Sequence, residues 1–235
     1  MHQLEQYARK YNSPDYFKTD PIIFPKHFST LMERGEARLQ DVEIAAVIAA
    51  HLAWGRRDMI VRDCNRAFDE MGWQPYAYIC KGVFRDDDAS LHRTVKWSEF
   101  ARICRNLKAF YEEHKSLEVL SQDEMRVRIY GQKSDPSAAN KKINMLRRWM
   151  VRNDGIVDIG LWKTISPADL IIPLDVHVHR VAIEVGLTSR KQADLKTALE
   201  ITEGLKKIFQ GDPCLGDFAL FAYGAERAAQ RKRSE

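Results

Sequence analysis

Residues 171–187 read IIPLDVHVHRVAIEVGL. An apolar run stops at Pro173, Asp175 stands where a helix begins, and the helix closes at Gly186. A carboxylate at a helix start accepts backbone N–H groups and sits at the positive end of the helix dipole. Such a carboxylate stays ionised and suits a site where positive charge develops nearby. Arg180 follows five residues on.

Outward from this stretch, the chain reads as helical. Asp41 precedes VEIAAVIAAHLAW, apolar nearly all round and therefore expected to be buried on every side. Gly55 ends it, and 56–71 places Met59, Ile60, Cys64, Ala67, Phe68 and Met71 at helical spacing. Residues 97–113, 116–120, 191–209 and 216–230 continue in that style, with few strand signals. The segment 121–136, SQDEMRVRIYGQKSDP, is the best linker candidate. Asp135-Pro136 then has the pattern of a helix start, opening SAANKKINMLRRWMV. Ser166-Pro167-Ala168-Asp169 has a second capping pattern.

Composition bounds what the chain can do. Its 235 residues are 45% apolar, enough for one large domain or two interleaved ones. No run reaches the roughly 18 to 20 apolar residues of a membrane span. The polar start MHQLEQYARKYNSPDYF lacks a signal pattern, so a cytoplasmic location is expected. Cys64, Cys80, Cys104 and Cys214 form no C-x-x-C pair, which argues against a zinc ribbon or a clustered iron–sulfur loop. Residues 1–140 carry 21 basic and 21 acidic side chains, whereas 141–235 carry 16 and 12. The surplus includes Arg147–Arg148, Arg190–Lys191, Lys206–Lys207 and Arg231–Lys232–Arg233. It can contact phosphates, but on charge alone solvated helix faces are the favoured reading.

Two constellations could carry chemistry. Asp175-Val176-His177-Val178-His179 resembles the metal-binding strand end of amidohydrolase and polymerase-histidinol-phosphatase barrels. Only 56 residues follow His179, none a histidine, so a barrel of about 250 residues cannot fit and no metal is expected. His51, in an apolar helix, reads as a satisfied core histidine. The second constellation is Asp175 with a lysine. Removing a damaged base from DNA passes through a cationic sugar that a carboxylate stabilises. A partly desolvated lysine can then attack C1′ and form a Schiff base. Lys141 and Lys142 open the helical stretch ending in Trp149 and Met150, and a helix N-terminus disfavours an ammonium. Spacing alone favours the plainer reading, two exposed lysines and a capping aspartate.

The segment LDVHVHRVAIEVGL looks like the aspartate-bearing helix of the helix-hairpin-helix DNA glycosylase superfamily. With DVEIAAVIAAHLAWGRRDMI, His92-Arg93-Thr94, KKINMLRRWMVRNDGIVDIGLW and DFALFAYG, it resembles an uncharacterised bacterial family over nearly the whole chain. That family is similar to the archaeal 8-oxoguanine DNA glycosylases. The superfamily's L-P-G-[VI]-G hairpin before a K-T-A helix is absent here, and 34 residues separate Lys141 from Asp175. The archaeal branch also has a long interval and a modified hairpin.

The resemblance implies an all-α, two-lobed helical fold with its active site in the cleft between lobes. One lobe would span 35–135, and the other 1–34 with 136–235. It implies a DNA glycosylase with AP-lyase activity that excises oxidised purine from double-stranded DNA. Asp175 would be the catalytic carboxylate and Lys141 the nucleophile, with Lys142 the alternative. Trp54, Met145, Asp217 and Phe221 would form the base pocket. Lys163, His179 and Arg180 would contact the DNA backbone. A monomer without cofactor or metal is expected. The readings left open are an inactive DNA-binding protein of the same fold and a helical RNA- or protein-binding module.

Overall fold

The computed structural model describes residues 2–234, and the side chains of residues 3–224. The side chains of Arg231, Lys232 and Arg233, noted above as a basic cluster, therefore lie outside the described residues. The chain is mostly helical and divides into two compact units, Met1–Tyr16 with Pro136–Glu235, and Phe17–Asp135. No helix of the described residues is long and apolar enough to cross a membrane.

The N-terminal helix α1 (His2–Tyr11) belongs to the first unit because it packs on the last helix of the chain. The first unit therefore takes in Met1–Tyr16 of the N-terminal stretch, where the sequence suggested 1–34. Only residues up to Tyr16 join the C-terminal part, since the next helix, α2 (Ile23–Glu33), packs instead on α3 (Leu39–Leu52).

The second unit is built round α3. Every residue from Asp41 to Leu52 is buried, as its unbroken apolar surface requires. Around it lie α2, α4 (Arg57–Glu70) and α5 (Pro75–Lys81), with α6 (Trp97–Glu113) packed on α5. Phe24, Phe28, Phe68 and Trp73 form an aromatic cluster between α2 and α4. Glu43, fully buried in α3, is satisfied by the Tyr111 and Ser116 hydroxyls at 2.9 and 2.6 Å and by the Leu117 N–H. A small antiparallel hairpin pairs β1 (Ser90–His92) with β2 (Val95–Lys96) in the register Ser90↔Lys96 and His92↔Val95. His51 is a partnered core histidine, 3.0 Å from Glu99 and stacked on Tyr130.

The proposed linker is half structured. Ser121 and Glu124 form a capping box that opens a helical turn, α7 (Gln122–Glu124), which continues as a π-helix over Met125–Ile129. Met125, Ile129 and Tyr130 are buried, and their charged neighbours concealed this in the sequence. Regular structure stops only at Gly131.

In the first unit, α8 (Lys141–Val151) starts later than Asp135-Pro136 suggested. Asn140 takes the left-handed conformation (φ 48°), which breaks the helix ahead of it. Lys141 is thereby the first residue of α8. After α8 the chain folds back on the helix end. The N–H groups of Ile159 and Gly160 donate to the Trp149 carbonyl, and that of Trp162 to Met150. α9 (Val176–Glu184), α10 (Leu195–Lys206) and α11 (Leu215–Ser234) complete the unit, with α9 packed on α11.

Gly160 is fixed by this fold-back. It has φ +68°, and a Cβ there would lie 2.5 Å from Asn153 Cβ and 2.8 Å from the Arg152 carbonyl oxygen. Gly155, at φ +69°, has open space around it. Gly155→Ala should cost about 1 kcal/mol, the left-handed penalty alone. Gly160→Ala should cost on the order of 3 kcal/mol or more, because backbone must also move. Urea denaturation of the two variants checks this, and equal losses would contradict it.

Candidate active site

Asp175 caps α9 from an extended backbone (φ −124°, ψ −179°). Its Oδ1 accepts the N–H groups of His177 and Val178, both at 2.9 Å. This arrangement fixes the carboxylate plane and leaves Oδ2 for another partner. That partner is Lys141, whose Nζ lies 3.3 Å from Oδ2. The side chains are 35% and 28% exposed, so the pair is open to a ligand yet partly screened from water. Two helix starts far apart in sequence thus meet at one ion pair.

Behind the pair lies a second carboxylate. Lys141, Met145 and Arg148 recur at i, i+4 and i+7 and share one face of α8. Asp217, on the first turn of α11, accepts from Arg148 Nη1 at 2.8 Å. Burial pushes the Asp217 carboxyl up to about 6; Arg148 opposes this, and the charge of Asp175 adds to it. Enclosure of the side chain and the second carboxylate at the site together outweigh the close guanidinium.

Arg148 opens a buried chain of charges. It also bonds Asp158 at 3.3 Å. Asp158 bonds Arg152 closely, and Arg152 continues to Asp154 and to both oxygens of Asp212. Burial raises the Asp158 carboxyl even against its two arginines. For Arg152 burial acts downward, but Asp212, Asp158 and Asp154 together hold its guanidinium above the ordinary value. Phe218 lies beneath both guanidinium groups, its ring centre 4.7 Å from that of Arg148 and 5.1 Å from that of Arg152.

Of the residues singled out by sequence, Lys141, Asp175, Met145, Asp217 and Phe221 all belong to this unit. Met145 is half-buried and Phe221 is 47% exposed one turn beyond Asp217. Lys142 leaves α8 about 100° round from Lys141. Trp54 belongs to the other unit, at the end of α3. It is 37% exposed and has the Arg93 guanidinium 4.4 Å over its ring. Its carbonyl bonds His92, which is buried against Asp63 at 2.8 Å. Lys163 is exposed and its ammonium bonds the Gly160 carbonyl. His179 is buried, with Nε2 2.8 Å from the Arg190 carbonyl, so that nitrogen holds the 187–190 loop rather than facing outward. Arg180 is exposed, 4.0 Å from Glu184. Among the described residues no group of three His, Cys, Asp or Glu side chains gathers as a metal site.

Sequence reasoning missed the Arg148–Asp158–Arg152 chain and left-handed Asn140. The available signal was the i, i+4 spacing of Arg148 and Arg152 on either side of Trp149 and Met150. That spacing places two cations on a helix whose neighbours are core residues.

The chain belongs to the family described as Protein of unknown function (DUF2400), whose model matches residues 20–226. No curated protein and no solved structure matches it.

Asp217 makes stability depend on pH in a defined sense. Its native value, about 6, exceeds the ordinary 3.8, so between these the folded state holds a proton the unfolded state has lost. The stability this confers is complete below 3.8 and is lost as pH rises through about 6. Asp217→Asn removes that descent. Whatever fixed loss follows from unpairing Arg148, the stability difference between variant and wild type should shift in the variant's favour by on the order of 3 kcal/mol as pH rises from about 4 to about 7. Paired melting curves across that range measure it, and parallel curves would refute the assignment.

Proposed function

We propose that this chain is a DNA glycosylase with AP-lyase activity, folded as a two-lobed helical glycosylase and acting on oxidised purine, 8-oxoguanine first, in double-stranded DNA. The observation that carries this reading is the 3.3 Å pairing of Lys141 Nζ with Asp175 Oδ2 at two helix starts. The basic surplus of 141–235 supplies charge for the phosphate backbone.

The chemistry follows from the pair. Asp175, tied at Oδ1 by two N–H groups, presents Oδ2 both to the ammonium proton of Lys141 and to positive charge growing on the sugar. The deprotonated amine bonds to C1′ as the bond from C1′ to the base breaks. The base leaves with that electron pair and takes a proton. The amine then loses its excess proton, the C1′–O4′ bond opens with protonation of O4′, and an imine links C1′ to Nζ. Loss of a C2′ proton expels the 3′ phosphate. Asp217, whose carboxyl burial raises to about 6, lies beside this site and can exchange hydrogen bonds with the edge of a flipped base. Met145 and Phe221 supply apolar surface for it.

The same ion pair favours a second reading. A lysine held as an ammonium is not a nucleophile, and a chain arrested in that state binds DNA without cutting it.

Borohydride trapping on duplex DNA bearing 8-oxoguanine separates the two. The wild type and Lys142→Ala should give a covalent adduct, and Lys141→Ala should give none. Tight binding with no adduct and no released base selects the second reading, and no binding at low salt overturns both. Asp175→Asn should slow base release about a hundredfold or more. Its melting temperature should stay near that of wild type, since asparagine also caps. Undiminished release would show Asp175 to be a cap alone.

A further inference from the structure

The second unit holds a pocket of about 600 Å³ between α2, the α2–α3 loop and α5, within the size range of small-ligand sites. One wall is aromatic. Trp73 packs on Phe28, with ring centres 6.1 Å apart. Its backbone is left-handed (φ 53°), an unfavourable state for a bulky residue and one the surrounding structure must impose. Tyr76 forms another wall, and the Arg38 guanidinium lies 5.4 Å from its ring centre. Asp41, at the pocket, is already engaged. One oxygen accepts the Tyr76 N–H at 2.8 Å and the other the Arg38 N–H at 2.9 Å. Arg38 and Glu36 both line the pocket and are exposed, and among the described residues neither forms an ion pair.

These groups define a ligand by complement. Trp73 and Tyr76 in the lining offer aromatic surface to a planar ring. An unpaired guanidinium takes an oxyanion in a forked contact. An unpaired carboxylate takes N–H donors on the edge of that ring. We propose that this pocket binds a guanine-type nucleoside monophosphate, with its phosphate on Arg38, its base against the aromatic lining of Trp73 and Tyr76, and the donor edge of the base on Glu36. The site lies wholly in Phe17–Asp135 and does not depend on the chemistry assigned to Lys141 and Asp175.

The test is titration calorimetry of the full chain with 2′-deoxyguanosine 5′-monophosphate. Deoxyguanosine, thymidine 5′-monophosphate and inorganic phosphate serve as comparators. The guanine nucleotide should bind one to one, and each comparator should bind at least about tenfold more weakly, the loss of one charge-assisted contact or of the stacking surface. Arg38→Met should abolish the preference over deoxyguanosine, and Glu36→Gln the preference over the thymidine nucleotide. Both residues are exposed, so the variants should fold, and unchanged melting curves check that. Lys141→Ala should bind as wild type does. Absence of saturable binding overturns the proposal, as does phosphate binding equal to the nucleotide, or a loss of binding in Lys141→Ala but not in Arg38→Met.

Discussion

Arg148 on α8 and Arg152, the residue that caps its C-terminus, share the buried carboxylate of Asp158, and the first unit depends on that arrangement. Buried guanidinium and carboxylate groups are costly singly and tolerable only as a satisfied set. Here the set reaches Asp217 on α11, Asp212 just before it, and Asp154 in the fold-back after α8. Removing one member leaves its partners charged and enclosed, a loss of roughly 3–5 kcal/mol in comparable pairs. The network therefore fixes how the end of α8, the following loop and the head of α11 meet. Lys141 sits at the other end of the same helix. The geometry of its pairing with Asp175 is inherited from that anchoring.

The second unit handles buried charge differently. Glu43 accepts from two hydroxyls and a backbone N–H. Asp63 is buried, and burial alone would raise its carboxyl. Arg62, His92 and Arg66 outweigh that and hold it below the ordinary value. Both solutions obey the rule that an enclosed carboxylate must spend its lone pairs on donors. They differ in reach: Glu43 ties α3 to the segment after α6, whereas Asp63 ties α4 to the hairpin and, through His92, to the backbone of Trp54.

Local signals survived translation into structure, and long-range ones did not exist to be read. The capping role of Asp175 follows from its place after Pro173 and before an amphipathic run. The burial of α3 follows from its apolar surface, and His51 in that helix had to be a partnered histidine. The start of α8 was misplaced because Asp135-Pro136 is a sound helix opening, and only the backbone of Asn140 cancels it. The apparent linker hid Met125, Ile129 and Tyr130 among charges. The arginine pair at 147–148 looked like surface charge because Asp217, which completes the set on Arg148, lies on another helix. Asp217 is 69 residues from Arg148, and Asp212 is 60 from Arg152. Nothing local to a cation announces a counter-charge that distant.

The docking of α1 on α11 has a consequence for how the chain is made. The second unit is contiguous, so all its parts exist once residue 135 has left the ribosome, and it can form as synthesis continues. The first unit is split across it and cannot close until α11 emerges. Through that interval α1 waits with its apolar face unpaired. The entropy of joining such distant ends grows only as the logarithm of the separation. The order of birth along the chain thus makes the unit bearing Lys141 and Asp175 the last to be completed.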